Sequence, residues 1–140
     1  MFLRGKWDDM TGLDNATKKW IKEATKYFTS SWGLDESFAE KIALFYLYLS
    51  SYGLNPRITS GFRSPEKQEE LKRRFAAGDP SIRYKPAEKS QHMAQGLFGK
   101  PAALAVDIAT SNEAQAAQIA KALGIKAGYF FNDPVHFSMS

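Results

Sequence analysis

This chain of 140 residues holds only two histidines, and each stands beside residues that extend its chemistry. His92 lies in "SQHMAQG", just after Ser90, and His136 lies in "NDPVHFS", just after Asp133. Between them, Asp107 interrupts the apolar run "AVDIA". A carboxylate flanked by Val106 and Ile108 needs a partner, because an unpaired buried charge is very costly. Two neutral imidazoles and one carboxylate are a three-ligand set suited to catalytic Zn²⁺, with a fourth position left to water. Such a set carries a single negative charge. A bound dication would stay net positive and pull the pKa of its water toward about 7. The chain has no cysteine. Disulfides and thiolate sites are therefore excluded, and any transition metal must be held by nitrogen and oxygen.

Each of these residues also has a plainer use. A histidine in a loop is commonly solvent-exposed. Asp107 can pair with a nearby lysine or cap a helix at Asn112, and "NDP" is an ordinary turn. Spacing leaves these alternatives open. Two further residues belong to the same set of candidates. On a continuous strand, Asp133 and His136 would face opposite sides. Pro134 argues against continuity, since it cannot donate to a ladder and fixes its own φ. The expectation is a turn at Asp133 and a strand from Val135. An acid on that turn is placed to serve as a general base toward a metal's water. Arg63, in "SGFRS", sits at a strand end. Its guanidinium suits a developing oxyanion or a substrate carboxylate, or more plainly a surface pair with Glu66 or Glu69.

These side chains must be positioned by regular elements. Asp14 suits the N-cap of a helix over residues 15–31. Leu13, Ala16, Trp20, Ala24, Tyr27 and Phe28 recur on one face at helical spacing, with Lys18, Lys19, Lys22 and Lys26 mostly elsewhere. A second helix over 36–50 is apolar nearly all round and is expected to be central. "RITSGF" reads as a short strand. A third helix opens at Ser64, with Pro65 at its first position, and ends at Gly78. Residues 79–101 lack periodicity, as functional or mobile segments often do. "AALAVDIA" reads as a buried strand. The alanine-rich stretch 112–125 reads as a helix capped by Ser111 or Asn112. "AGYFF" and "VHFSM" read as two strands joined by "NDP". The order α-α-β-α-loop-β-α-β-β predicts an α+β fold with helices packed on a small, mainly antiparallel sheet.

Composition narrows the function classes. At 44% hydrophobic and 14% aromatic the chain is globular rather than disordered, and its length suits one domain with a genuine core. Its 19 basic and 15 acidic residues leave a net charge of +4. That mild excess tolerates anionic polymers but selects none. No dense basic block or arginine–aromatic interleaving is present, so nucleic acid is not an expected partner. "MFLRGKWDDM" lacks an apolar signal-peptide core, and the longest apolar run, "IALFYLYL", is too short to span a bilayer. The expectation is a soluble chain made in the cytoplasm without a transmembrane segment.

Three fragments, "ITSGFRSPEKQ", "SQHMAQG…AVDI" and "DPVHF", together resemble the zinc peptidases of the D-alanyl-D-alanine carboxypeptidase family, within the lysostaphin/hedgehog-type fold group. The family pattern reads S-G-[YF]-R-S, then S-x-H-x-x-G-x-A-x-D, then [DE]-x-x-H. Both histidines fall in it, in order. The likeness covers about seven-tenths of the chain, from Phe38 to Phe137. It implies a peptidase domain over 36–140, preceded by a helical extension over 1–35 packed on the core. It implies zinc held by His92, Asp107 and His136, with Asp133 as general base and acid and Arg63 as stabiliser of the tetrahedral intermediate. It places Gln68 near the substrate, and Ser90 in the substrate-site loop that it orients.

Family members cut peptide bonds in bacterial peptidoglycan. Those with aspartate at the base position include phage endolysins that cut the L-alanyl-D-glutamate bond, which favours an endopeptidase over a D-Ala-D-Ala carboxypeptidase. The implied setting is phage lysis at the periplasmic wall, by holin release or within a virion, where other virion proteins are further partners. The reading from another class is a non-catalytic module that keeps zinc for wall docking or as a phage structural protein. Degenerate modules often lose the base, whereas this chain keeps Asp133 and Arg63. One departure stands out. Asp107 follows His92 by fifteen positions, with extra residues in "LFGKPAAL" after Gly96. A loop extension costs little when its ends still meet, and the extra residues are candidates for a cleft wall or a lid.

Overall fold

A computed structural model describes residues 12–82, 85–86 and 90–139. The start of the 1–35 extension and parts of the irregular 79–101 stretch lie outside the described residues. Helix α1, Asn15–Trp32, begins where Asp14 Oδ1 accepts a hydrogen bond from Thr17 N at 2.7 Å. It ends at Gly33, whose φ of 65° favours glycine. The buried face of α1 is Ile21, Thr25 and Phe28. Leu13 and Ala24 are partly buried beside it. Trp20 and Tyr27 remain 39% and 58% exposed, which corrects the face expected from spacing. The two candidate stripes lie one residue apart on the helix, and contact with the next helix selects between them. Thr25 is polar, yet its hydroxyl donates to Ile21 O at 2.7 Å and so is satisfied in the core.

Helix α2, Glu36–Ser51, is capped by Asp35, which accepts from Phe38 N at 3.0 Å. It is the central helix. Phe38, Ile42, Phe45 and Leu49 are fully buried. α1 packs on α2, and the Phe45 ring meets Phe137 of the sheet edge-on, with centroids 4.9 Å apart. Helix α1 therefore shares one core with the rest of the chain. Helix α3, Pro65–Ala76, opens at the Ser64 cap, and helix α4, Glu113–Ala122, is capped by Asn112 rather than Ser111. Among the described residues no helix is long and apolar enough to cross a membrane.

Four strands form one antiparallel sheet: β1 (Arg57–Ser60), β2 (Ala105–Ala109), β3 (Lys126–Ala127) and β4 (His136–Ser138). Their spatial order is β1-β2-β4-β3. The fold is thus α+β, with helices packed on a small antiparallel sheet. "AGYFF" is not a strand. Only Lys126 and Ala127 pair with β4, and Gly128–Phe131 form a 3₁₀ turn. A side chain at Gly128 would run into Asp133 O and His136, so only glycine permits this tight turn. The first strand stops at Ser60, and the next residue, Gly61, packs against the backbone of Trp32 without room for a Cβ.

The extra residues after Gly96 fold back on themselves. Gly96 N donates to Lys100 O at 2.7 Å and Ala102 N to Ala94 O at 3.0 Å. Leu97–Gly99 form a 3₁₀ turn at the tip, with Phe98 fully exposed. The ends of the excursion meet, as an inexpensive insertion requires. None of residues 97–100 lines the cavity that holds the candidate ligands. In this structure the tip of the insertion stays off that cavity, while its Pro101 lines the neighbouring groove that borders Arg63.

Candidate metal centre

Antiparallel pairing of β2 and β4 sets Asp107 directly opposite His136. On the other side of Asp107, β1 contributes Ser60, after a register shift between Ile58 and Ser60. Strand β4 begins at His136, one residue later than expected, although Val135 O already accepts from Ile108 N at 2.8 Å. His92 arrives from outside the sheet, in a 3₁₀ turn over Gln91–Met93. Ser90 Oγ caps that turn by accepting from His92 N at 3.2 Å. Three more bonds clamp it to the sheet. Arg63 N donates to His92 O at 2.7 Å, Leu104 N to Gln91 O at 2.8 Å, and Gln91 Nε2 to Met139 O at 3.0 Å. The loop histidine is therefore not solvent-exposed: His92 is 2% exposed.

The His92 ring has one orientation that satisfies it. Nδ1 lies 2.8 Å from Gly61 O and can only donate to that carbonyl, which leaves the Nε2 lone pair facing inward. Nε2 is 3.3 Å from Asp107 Oδ1 and 3.3 Å from His136 Nδ1. His136 Nδ1 is 3.4 Å from the same Oδ1. The three atoms form a nearly equilateral triangle of electron-pair donors. A hydrogen on His136 Nδ1 or a metal ion at the centre would satisfy all three atoms. The group can hold a metal ion. Burial alone would push the Asp107 carboxyl up, but the two imidazoles beside it, His136 ahead of His92, hold it well below the usual carboxylate range. Asp107 is thus a dependable anion at the centre of the site.

The remaining candidates surround this triangle. Asp133 and Arg63 line the same cavity as the three ligands, with Gln68 and Ser90, in a volume of about 420 Å³. Asp133 sits on the turn predicted for it. Its N–H donates to Gly128 O at 2.9 Å, and its own carbonyl accepts from His136 N at 3.1 Å. Burial pushes its carboxyl above the ordinary value; His136, His92 and Arg63 oppose that rise and Asp107 reinforces it. Arg63 does not pair with Glu66 or Glu69. Its Nη1 donates to Gln68 Oε1 at 3.1 Å and its Nη2 to Ser60 Oγ at 3.3 Å, with Asp107 Oδ2 at 3.9 Å. Gln68 is 1% exposed and holds the guanidinium, a positioning duty besides its place on the cavity wall. A larger groove of about 610 Å³ borders Arg63 on the side of Trp32 and contains none of the three ligands.

Ser60 and Gly61 open the motif "SGFRS", which by itself gives them no role, yet both support the candidate site. One orients Arg63 and the other receives His92 Nδ1. The only trace in the sequence is the "SG" before Phe62 and Arg63. A Gly61→Ala variant should be destabilised by about 1–3 kcal/mol, because its methyl would overlap Trp32. It should also bind metal more weakly, because the acceptor for His92 shifts. Thermal melting with and without metal checks both effects. No protein-family model matches this chain and no curated protein does, so the geometry of the site carries its functional reading.

Proposed function

We propose that the protein is a zinc metallopeptidase that hydrolyses peptide bonds in bacterial peptidoglycan, with the L-alanyl-D-glutamate bond as the favoured target. The observation that carries this reading is the donor triangle. Tetrahedral zinc with nitrogen and oxygen ligands at about 2.0–2.1 Å needs donor atoms roughly 3.3–3.4 Å apart. The three edges here are 3.3, 3.4 and 3.3 Å. The donor chemistry agrees, since two imidazoles and a carboxylate suit zinc better than calcium or magnesium. The ring nitrogen of His92 that does not face the triangle is hydrogen-bonded to a carbonyl, as metal-binding histidines usually are.

Zinc in this set would supply Lewis acidity at a peptide carbonyl and acidify water near neutral pH. Asp133, on the wall of the same cavity, takes the proton from the attacking water and delivers it to the leaving amine. Its raised carboxyl brings its proton affinity closer to that task. Arg63 donates to the oxyanion that develops as the carbonyl carbon becomes tetrahedral. Gln68 and Ser60 fix the guanidinium beforehand, so little reorganisation is needed. A binding-only module needs the ligands but not Asp133 beside them, and this supports catalysis over docking. Phage lysis at the wall is the setting proposed with it, by analogy of motif.

Mass spectrometry of muropeptides from defined peptidoglycan tests the proposal. Zinc-loaded protein is expected to release new L-alanyl carboxyl and D-glutamyl amino termini. Loss of terminal D-alanine alone would transfer the assignment to a carboxypeptidase. Intact muropeptides after prolonged incubation with zinc-loaded protein would remove the peptidase reading.

A further inference from the structure

The turn between β3 and β4 presents three consecutive aromatic rings to solvent. Tyr129, Phe130 and Phe131 are 40%, 48% and 67% exposed. Nothing in the turn itself requires aromatic residues, and contiguous apolar surface marks an interaction site more often than scattered residues do. The backbone beneath them is well fixed. Gly128 O accepts from the N–H groups of both Asn132 and Asp133. Asn132 closes the turn at φ 65°. The rings are ordered as well, with Tyr129 and Phe130 edge-to-face at 5.5 Å. Two cations complete the patch. Lys121 of α4 lies 5.8 Å from the centre of the Phe130 ring, and Lys126 of β3 lies 5.0 Å from that of Phe131.

We propose that this turn docks the protein on an anionic lipid bilayer. Phe130 and Phe131 enter the boundary between headgroups and acyl chains, and Lys121 and Lys126 remain at the level of the phosphates. The amphipathic lysine stems suit that arrangement, with apolar carbons along the rings and ammonium groups in the polar layer. Aromatic rings favour the membrane interface, and lysines gain further from a negative lipid surface. The rings stand exposed on a turn, and a soft bilayer receives them without a matching pocket. The cations also argue against stacked nucleobases, which need open ring faces. Here ammonium groups lie over the two phenylalanine rings. The nearest acid along the chain, Asp133, lines the metal cavity. Because Asp133 follows Phe131 so closely in sequence, a docked turn holds that cavity next to the bilayer.

Co-sedimentation of the full chain with phosphatidylglycerol or phosphatidylcholine vesicles tests this. The expected result is salt-sensitive binding to phosphatidylglycerol and little to phosphatidylcholine. Paired substitutions Phe130→Ser with Phe131→Ser, and Lys121→Glu with Lys126→Glu, should each weaken partitioning on the order of tenfold. Melting temperatures and rates on soluble muropeptides should match the parent, which separates docking from the proposed hydrolysis. If the phenylalanine pair fails to fold, the lysine pair decides. Four results would overturn the proposal. One is parent protein that ignores phosphatidylglycerol. Another is a folded variant pair that binds as the parent does. The third is binding lost with Trp20→Ser and Tyr27→Ser instead, which would move the contact to α1. A parent that prefers single-stranded DNA to vesicles through the same rings would also overturn it.

Discussion

In an Asp133→Ala variant, muropeptide hydrolysis is expected to fall about a thousandfold while bound metal stays at the parent's stoichiometry. The two readouts separate because Asp133 lines the cavity without belonging to the donor triangle. Its side chain is not needed to hold the turn, since its backbone makes the bonds to Gly128 and His136. Removing the carboxyl therefore takes away a proton acceptor and leaves the ligands in place. Rate measurements on defined muropeptides, with metal content by elemental analysis, check the expectation. A variant that clears substrate at the parent's rate would refute the assignment of Asp133. Loss of metal together with rate would make Asp133 part of the metal site instead.

The second large effect is on the metal itself. A His136→Ala variant should bind zinc more weakly by well over the roughly 10–100-fold that outer-shell changes cost. Hydrolysis should disappear with the metal. His136 suits this test better than His92. It is partly exposed, and its ring nitrogen toward the site is held only by the triangle. Removing buried His92 would also strand Gly61 O and leave a cavity, which mixes folding with binding. The metal-free His136→Ala protein should melt within a few degrees of the metal-free parent, whereas saturating zinc should raise the parent's melting temperature and scarcely affect the variant's. Titration calorimetry and thermal melts measure both. Unchanged zinc affinity in the variant would break the triangle as a metal site.

Local features of the fold were legible because their causes are local. The caps at Asp14 and Ser64 bond to backbone N–H groups three residues ahead, so residue type and position suffice to find them, whereas at α4 they left Ser111 and Asn112 both open until the bond from Gln115 N chose Asn112. Strand β2 was legible from the apolar residues on both sides of Asp107. The turn at Asp133 was legible from Pro134. The 3₁₀ turn Gly128–Phe131 was not, because its aromatic residues favour strands, while the turn rests on a close approach of Gly128 to Asp133 and His136 that a side chain there would block. The buried stripe of α1 was shifted for the same reason. Periodicity reports that a face exists, while the partner helix chooses which one.

The candidate site divides along the same line. By itself the sequence determined the available chemistry: two imidazoles, no thiol, an acid set in an apolar strand, and a second acid before a proline. It also ordered those groups in a recognisable series. Only the tertiary structure decided that His92, Asp107 and His136 meet at one point, that Arg63 turns to Gln68 and Ser60, and that the insertion after Gly96 stays clear of the cavity. Distance along the chain does not set distance in space. The β2–β4 register brings Asp107 to His136, and the clamp on the Gln91–Met93 turn brings His92 to both. Both depend on backbone hydrogen bonds between segments far apart in the chain.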